Sequence, residues 1–322
     1  MQPSPLVEVR DLSLAVRGAD GLCPVVSGVS FSLDRGECLA LVGESGSGKT
    51  LTAFSLLGLY PSPDLVQTGG TITFEGVEHA SRSPEALRRL RGRRLGMVFQ
   101  EPAQALNPVR RVEDHLAEVL AAHDVCAPRE RRARMLRGLE EAGLRDPEVV
   151  LRMYPFELSG GMMQRVCIAL ALIADPVVLI ADEPTTALDP EVSARIVDSF
   201  AALRRSRELA ILYISHDLHV VGRLADRVGV MYLGRLVELG PAAEVLRTPR
   251  HPYTRGLLDA LTPDGHGRFR TIPGDPRDRP PTEGACPFLP RCGRADAACA
   301  TGPSLGGDER RVVACHHPLE AP

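Results

Sequence analysis

The sequence has no tryptophan, and only 4% of its residues are aromatic. Platforms that stack nucleic-acid bases depend on such rings, so that class of protein is disfavoured. A formal net charge of −3 offers no basic surface for a polyanion either. No apolar run is long enough to span a membrane; the most apolar stretch, Cys167 to Ala181, is broken by Asp175-Pro176. The opening MQPSPLVEVR lacks a basic segment followed by an apolar core, so no secretory leader is expected, and a reducing compartment follows. There are eight cysteines, but those of the C-terminal cluster lack the close spacing of common zinc motifs. The remainder is ordinary for a globular protein: 322 residues, 44% apolar and 25% charged. That length suits one large domain, or a domain with an appendage.

What the sequence does contain is Gly43-Glu44-Ser45-Gly46-Ser47-Gly48-Lys49-Thr50, a G-x-x-x-x-G-K-S/T phosphate-binding loop. Glycines let the backbone curl so that successive N–H groups face phosphate oxygens. Lys49 would reach the β- and γ-phosphates, and Thr50 would offer its hydroxyl to Mg2+. Upstream, Cys38 to Val42 is a short apolar run, as a buried strand requires. Downstream, Leu51 to Leu57 suits a helix, whose N-terminus favours an anion. Strand, loop and helix together point to nucleotide binding.

Further strands are expected at Leu6 to Val16, Val25 to Leu33, Gly69 to Glu75 and Leu95 to Phe99, with a short basic helix at Pro84 to Gly92. From Gln104 to about Leu158, Ala, Leu, Arg and Glu recur at helical spacing. This predicts an inserted helical subdomain, about 104–175 with the helix that follows. The basic run Arg129 to Arg137 reads as a solvated helix face. Strands at Val177 to Ala181, Leu209 to Ser215 and Arg227 to Met231 then alternate with helices at Pro190 to Arg205 and Asp217 to Leu224. Such alternation predicts an α/β fold with a mainly parallel, helix-covered sheet. Short helices are expected within 241–261, and the tail beyond is rich in Pro, Gly and Arg.

Asp182 and Glu183 end a buried strand. Two carboxylates there divide the chemistry: the first binds Mg2+, the second orients and activates water. His216 ends a later strand, where a γ-phosphate contact and a structural role are both open. Gln100 ends another. Leu158-Ser159-Gly160-Gly161-Met162 opens a helix, a ready anion site.

In order and spacing, Gly43–Thr50, Gln100, Leu158–Gln164, Leu179–Glu183 and His216 resemble the ATP-binding cassette (ABC) family. Ala187-Leu188-Asp189 looks like that family's D-loop. The resemblance spans residues 6 to about 245. It implies a P-loop NTPase sheet of the ABC type in a cassette over 1–245, with an antiparallel β subdomain beside the inserted helices. It also implies ATP and Mg2+ as ligands, and a head-to-tail dimer. Each ATP would lie between Gly43, Glu44, Ser45, Gly46, Ser47, Gly48, Lys49 and Thr50 of one subunit and Ser159, Gly160, Gly161 and Asp189 of the other. Thr50, Gln100 and Asp182 would hold Mg2+, Glu183 would be the base, and His216 would hold the γ-phosphate. Two departures stand out. No aromatic occurs in Asp20 to Val25, where the family usually stacks adenine, and Met163 replaces a residue that is commonly basic or polar. Met163 is expected to face outward.

Phe99-Gln100-Glu101-Pro102, Leu106-Asn107-Pro108, His251 to Leu258 and Cys286-Pro287-Phe288 through Arg291-Cys292 are similar to the ATPase subunits of oligopeptide, dipeptide and nickel importers. That resemblance covers nearly the whole chain. It implies an ATPase energising peptide import, or import of nickel or another small solute. The expected place is peripheral, on the cytoplasmic face of the cell membrane. The expected partners are a second homologous ATPase subunit in a heterodimer, two transmembrane permeases and an extracytoplasmic substrate-binding protein, with no nucleic acid. A soluble cassette ATPase acting on nucleic acid or ribosomes is the rival; it would tend to carry two cassettes or a long coiled coil, and neither is present. His251 reads as structural.

In the extension 246–322, Cys286, Cys292, Cys299 and Cys315 are separated by five, six and fifteen residues. Four thiolates in a Pro-rich loop suit an iron–sulfur (4Fe-4S) cluster better than zinc, and His316 or His317 could replace one ligand. A bound metal would stabilise a segment with so few apolar residues. The other cysteines, Cys23, Cys38, Cys126 and Cys167, read as small apolar residues.

Overall fold

A computed structural model describes residues 4–186, 188–261, 268–276, 278–280, 282, 284–308 and 310–320. Ala187 of the expected D-loop lies outside them. The chain folds as two compact units interleaved in sequence, the first from 1–6, 33–38 and 75–214, the second from 7–32, 39–74 and 215–322.

The first unit holds three parallel strands, Leu95–Val98, Val178–Asp182 and Ala210–Ser215. Leu95 pairs with Val178 and Val98 with Ala181; Val178 pairs with Ala210 and Asp182 with Ile214. The two longer strands are buried throughout, which is why they read as continuous apolar runs rather than alternating ones. The register brings their carboxyl ends level, the edge at which parallel sheets present ligand-binding residues. Helices at Val112–Ala122, Arg131–Glu141, Pro147–Arg152 and Gly160–Leu172 fall where the spacing predicts helix, burying Leu116, Leu120, Leu139 and Leu151. The basic run is not wholly solvated. Arg134 donates to the Ile173 carbonyl at 3.0 and 2.9 Å and pairs with Asp175 at 2.5 Å. Ile173 caps the C-terminus of Gly160–Leu172, and a cation there satisfies a carbonyl that has no helical partner.

In the second unit, strands Gly21–Leu33, Val7–Gly18 and Leu65–Phe74 lie side by side, the last two antiparallel from Val7–Phe74 to Val16–Leu65. Gly21–Leu33 and Leu65–Phe74 each start four residues earlier than the sequence suggests. Gly70, inside the second of these, has φ 79°, and a Cβ there would stand 2.4 Å from the Arg10 carbonyl oxygen. Cys38–Val42 runs parallel to Arg227–Tyr232. The chain then returns antiparallel as Arg235–Pro241, a strand that the sequence reading missed. The turn is Leu233-Gly234, with φ of 43° and 78°; leucine is not a usual turn residue at positive φ, so the local signal is weak.

The C-terminal extension belongs to this unit. Val312–Val313 pairs with Arg235–Pro241, matching Leu239 to Val312. Beside that pairing Glu238 is fully buried. Its carboxylate accepts from the N–H groups of Arg250 and His251, both at 2.9 Å, and from Arg311 at 2.7 Å. A buried carboxylate so satisfied is tolerated, but removing one charged partner strands the other. Arg311→Met should therefore lower the unfolding free energy by about 3 kcal/mol. Denaturant titration of the purified chain checks this; an unchanged midpoint would show that the pair contributes nothing.

Cys38 and Cys167 are buried, as apolar residues should be, but Cys23 is exposed. Met163 is partly exposed. Among the described residues no helix is long and apolar enough to cross a membrane.

Candidate nucleotide-binding site

The buried strand Cys38–Val42 delivers the chain into Gly43, at φ 148°. A Cβ at Gly43 would lie 2.2 Å from the Met231 carbonyl oxygen, so no side chain fits. Gly46 and Gly48 also hold positive φ, 78° and 95°, which lets the loop coil. Gly48 caps the helix Lys49–Leu56, which starts two residues earlier than the sequence reading placed it. Lys49 is 5% exposed. Its ammonium donates to the carbonyls of Gly43 and Glu44 at 2.9 and 3.0 Å and to Ser47 Oγ at 3.3 Å. The charge thus lies across the loop that its own backbone forms. His216, in the same unit, is exposed. Asp217 beside it caps the next helix, accepting from the N–H groups of His219 and Val220 at 2.9 and 3.4 Å.

In the first unit Asp182 is 3% exposed at the end of its strand. Glu183 follows in the left-handed region, φ 45°. That backbone costs about 1–3 kcal/mol for a residue other than glycine and persists where the surroundings hold it. Here the Glu183 N–H donates to the Ile214 carbonyl at 3.0 Å. The carboxylate is held too: Gln100 Nε2 donates to Glu183 Oε2 at 3.2 Å and Thr186 Oγ1 donates to the same oxygen at 3.0 Å. Two residues that end different strands, Gln100 and Glu183, are therefore brought together. Thr186 was missed by the sequence reading, since a threonine three residues on carries no signal of its own.

Ser159 caps the helix Gly160–Leu172, its Oγ accepting from the Met162 N–H at 3.3 Å. Asp189 caps Pro190–Arg207 in the same way, accepting from the Val192 N–H at 2.9 Å. Ser159, Gly160, Gly161 and Asp189 line one open concavity. A Cβ on Gly161 would press to 2.8 Å from Val192, which explains a glycine there. Two capped helix N-termini thus face one surface, which favours an anion.

The tail makes a second, chemically distinct cluster. Cys286, Cys292, Cys299 and Cys315 line one small pocket with His316 and His317. Burial raises the thiol pKa of Cys286, Cys292 and Cys315, and neighbouring thiols add to it. Arg294 N–H donates to Cys292 Sγ at 3.4 Å. Within 4.8 Å of one another stand Asp296, Cys299 and His317. His251 is structural, as expected: its Nδ1 accepts from the Tyr253 N–H at 3.0 Å, and burial lowers its pKa to about 4, leaving it neutral at pH 7.

A glycine-coiled phosphate loop closed by a buried lysine, in an α/β chain with a restrained carboxylate at a strand end, defines a P-loop nucleotide-binding protein. The ABC transporter family model matches residues 26–186, and the model of the oligopeptide/dipeptide transporter C-terminal region matches 237–299. The oligopeptide transport ATP-binding protein OppD of Escherichia coli is 42% identical, over 99% of this chain and 95% of its own. The dipeptide transport ATP-binding protein DppD of Bacillus subtilis is 40% identical, over 91% and 88%. A dimeric bacterial ABC transporter cassette of known structure covers 73% of this chain and 98% of its own, with a TM-score of 0.65 at 23% identity, a likeness of fold. A cassette from an ABC transporter complex of Clostridium perfringens matches at 27% identity, covering 76% and 91%, with a TM-score of 0.65. The chain belongs to the ABC transporter family, among its ATP-binding proteins.

Proposed function

We infer that this chain is the ATP-hydrolysing subunit of a peptide-type ABC importer. One observation carries the reading: likeness to a peptide-transport ATP-binding protein runs through cassette and extension alike, over 99% of the chain. Peptide is preferred to nickel or another small solute because the relatives named above transport oligopeptides and dipeptides. The domains are a cassette over 1–245, with helices about 104–175 inserted, and an extension over 246–322. Gly43 to Thr50 cradle the phosphates, with Lys49 exchanging its loop carbonyls for phosphate oxygens. Thr50, Gln100 and Asp182 serve Mg2+. Glu183 takes the proton from water, and His216 holds the γ-phosphate. Ser159, Gly160, Gly161 and Asp189 complete the ATP site of a second, homologous subunit. ATP closes that pair; hydrolysis and release open it. Two permeases receive the motion, an extracytoplasmic binding protein supplies the solute, and the chain sits peripherally on the cytoplasmic membrane face.

Affinity purification from solubilised membranes tests this. Two polytopic proteins and a second cassette should accompany the chain. Soluble partners alone, or ribosomes, would overturn the importer.

The thiol pocket fits a metal centre. A single tetrahedral Zn2+, with Zn–S of about 2.3 Å, needs its four sulfurs roughly 3.8 Å apart. Here the tight group is Asp296, Cys299 and His317, while Cys286, Cys292 and Cys315 stand around the same pocket. Four thiols around one pocket are the ligand set of a 4Fe-4S cluster, and the N–H donated to Cys292 Sγ is the kind of bond that tunes one. Bound, the cluster would tie the extension together. Anaerobically purified protein should contain iron and sulfide and show visible absorption that bleaches in air and is lost in Cys292→Ser. Stoichiometric zinc without colour would reassign the site, and metal-free protein would refute both.

A further inference from the structure

We propose that Arg291, in the C-terminal extension, is a positioning residue for ATP: it clamps and neutralises Glu44 of the phosphate loop. The proposal rests on the ATPase reading and adds to it a second, remote determinant of nucleotide affinity.

Glu44 occupies a position that the phosphate-loop pattern leaves free. The structure gives it a specific partner. Arg291 Nη1 donates to Glu44 Oε2 at 2.7 Å and Nη2 donates to Oε1 at 3.1 Å, a fork on a carboxylate. The Arg291 side chain is 1% exposed. It is fixed on every side: Nε donates to the Pro273 carbonyl at 2.8 Å, Nη1 approaches Tyr232 Oη at 3.4 Å, and the guanidinium lies 5.8 Å from the centre of the Tyr232 ring. The Glu44 carboxylate raises the Arg291 pKa further, so the charge is permanent. The backbone of Glu44 is also held, its N–H donating to Tyr253 Oη at 2.9 Å. Tyr253 and Tyr232 pack against Phe288, three residues before Arg291.

Two consequences follow for the bound phosphates. The first is geometric. The Glu44 carbonyl is one of the two that receive the Lys49 ammonium, so displacing Glu44 displaces the charge that must reach the nucleotide. The second is electrostatic. A carboxylate in the loop repels a polyphosphate, and in a partly buried site that repulsion is weakly screened. Arg291 cancels it. The thiol pocket shares the turn, since Cys292 follows Arg291 directly and lines that pocket.

The test is equilibrium binding of a fluorescent ATP analogue to the full-length chain, with steady-state ATPase assays of the assembled complex. In Arg291→Met the Kd for nucleotide should rise roughly tenfold or more, as for truncation of one member of a buried charge pair. KM for ATP should rise with it, while kcat at saturating ATP stays near wild type. Glu44→Gln added to Arg291→Met should recover much of the affinity, because the uncompensated charge is gone, and Arg291→Lys should retain part of it. Thermal melts identify any variant that merely fails to fold; Glu44→Gln alone, which leaves the extension intact, then measures the link from the other side and should cost less than Arg291→Met. Wild-type Kd in a folded Arg291→Met, or equal and additive losses in the double variant, would overturn the proposal. Failure of the wild-type chain to bind the analogue would instead overturn the ATPase reading.

Discussion

Glu183→Gln should bind ATP normally and hydrolyse it about 10²–10⁴-fold more slowly, the usual contribution of a positioned general base. The substitution keeps the shape and removes the basicity. Its geometry argues that binding will survive: the backbone at φ 45° and the bond from the Glu183 N–H to the Ile214 carbonyl do not involve the carboxylate. The side-chain oxygen that receives Gln100 and Thr186 remains an acceptor in glutamine. The assay is phosphate release by the assembled complex, paired with nucleotide binding. Wild-type turnover would remove Glu183 from the role of base, and lost binding would show that the substitution disturbs more than chemistry.

The second large effect is expected in Lys49→Ala. The ammonium is buried and satisfied by two carbonyls and a hydroxyl of its own loop. Exchanging carbonyls for anionic phosphate oxygens strengthens those bonds, since hydrogen bonds to charged groups are worth about 1.5–3 kcal/mol each. Two such bonds correspond to a loss of roughly 100-fold or more in ATP affinity. Removing the ammonium also leaves those loop carbonyls without that donor, so the empty loop should lose order as well. Titration with ATP by calorimetry checks the first point, and amide exchange across the loop checks the second. Affinity within a factor of a few of wild type would mean that the backbone amides of the loop carry the phosphates alone.

Between them, these residues show what was legible without a fold. The phosphate loop, the strand before it and the helix after it are contiguous, and glycine spacing, an apolar run and a basic residue carry the whole signal. The strands ending at Asp182 and Ser215 were equally readable, because burial on both faces leaves an uninterrupted apolar stretch. Helices between Gln104 and Leu158 and the capped turn at Ser159 were legible too, since helical spacing and capping chemistry are local. Failures fell where local rules were overruled. The strand Arg235–Pro241 went unseen, because Leu233-Gly234 turns the hairpin without the usual residues. Arg134 looked solvated but satisfies a helix end.

The sequence by itself determined the groups this protein has to work with: a loop of phosphate-binding pattern, two carboxylates at a strand end, a capped helix start, and four thiols in a Pro-rich tail. Each is a short pattern whose meaning depends on residue type and spacing. Only the tertiary structure decided which groups act together. Gln100 and Glu183 lie 83 residues apart in sequence yet share a hydrogen bond, and Arg291 grips Glu44 across 247 residues. Nothing local specifies such pairs. They arise because parallel strands align their carboxyl ends, and because the extension packs into the unit that holds the phosphate loop.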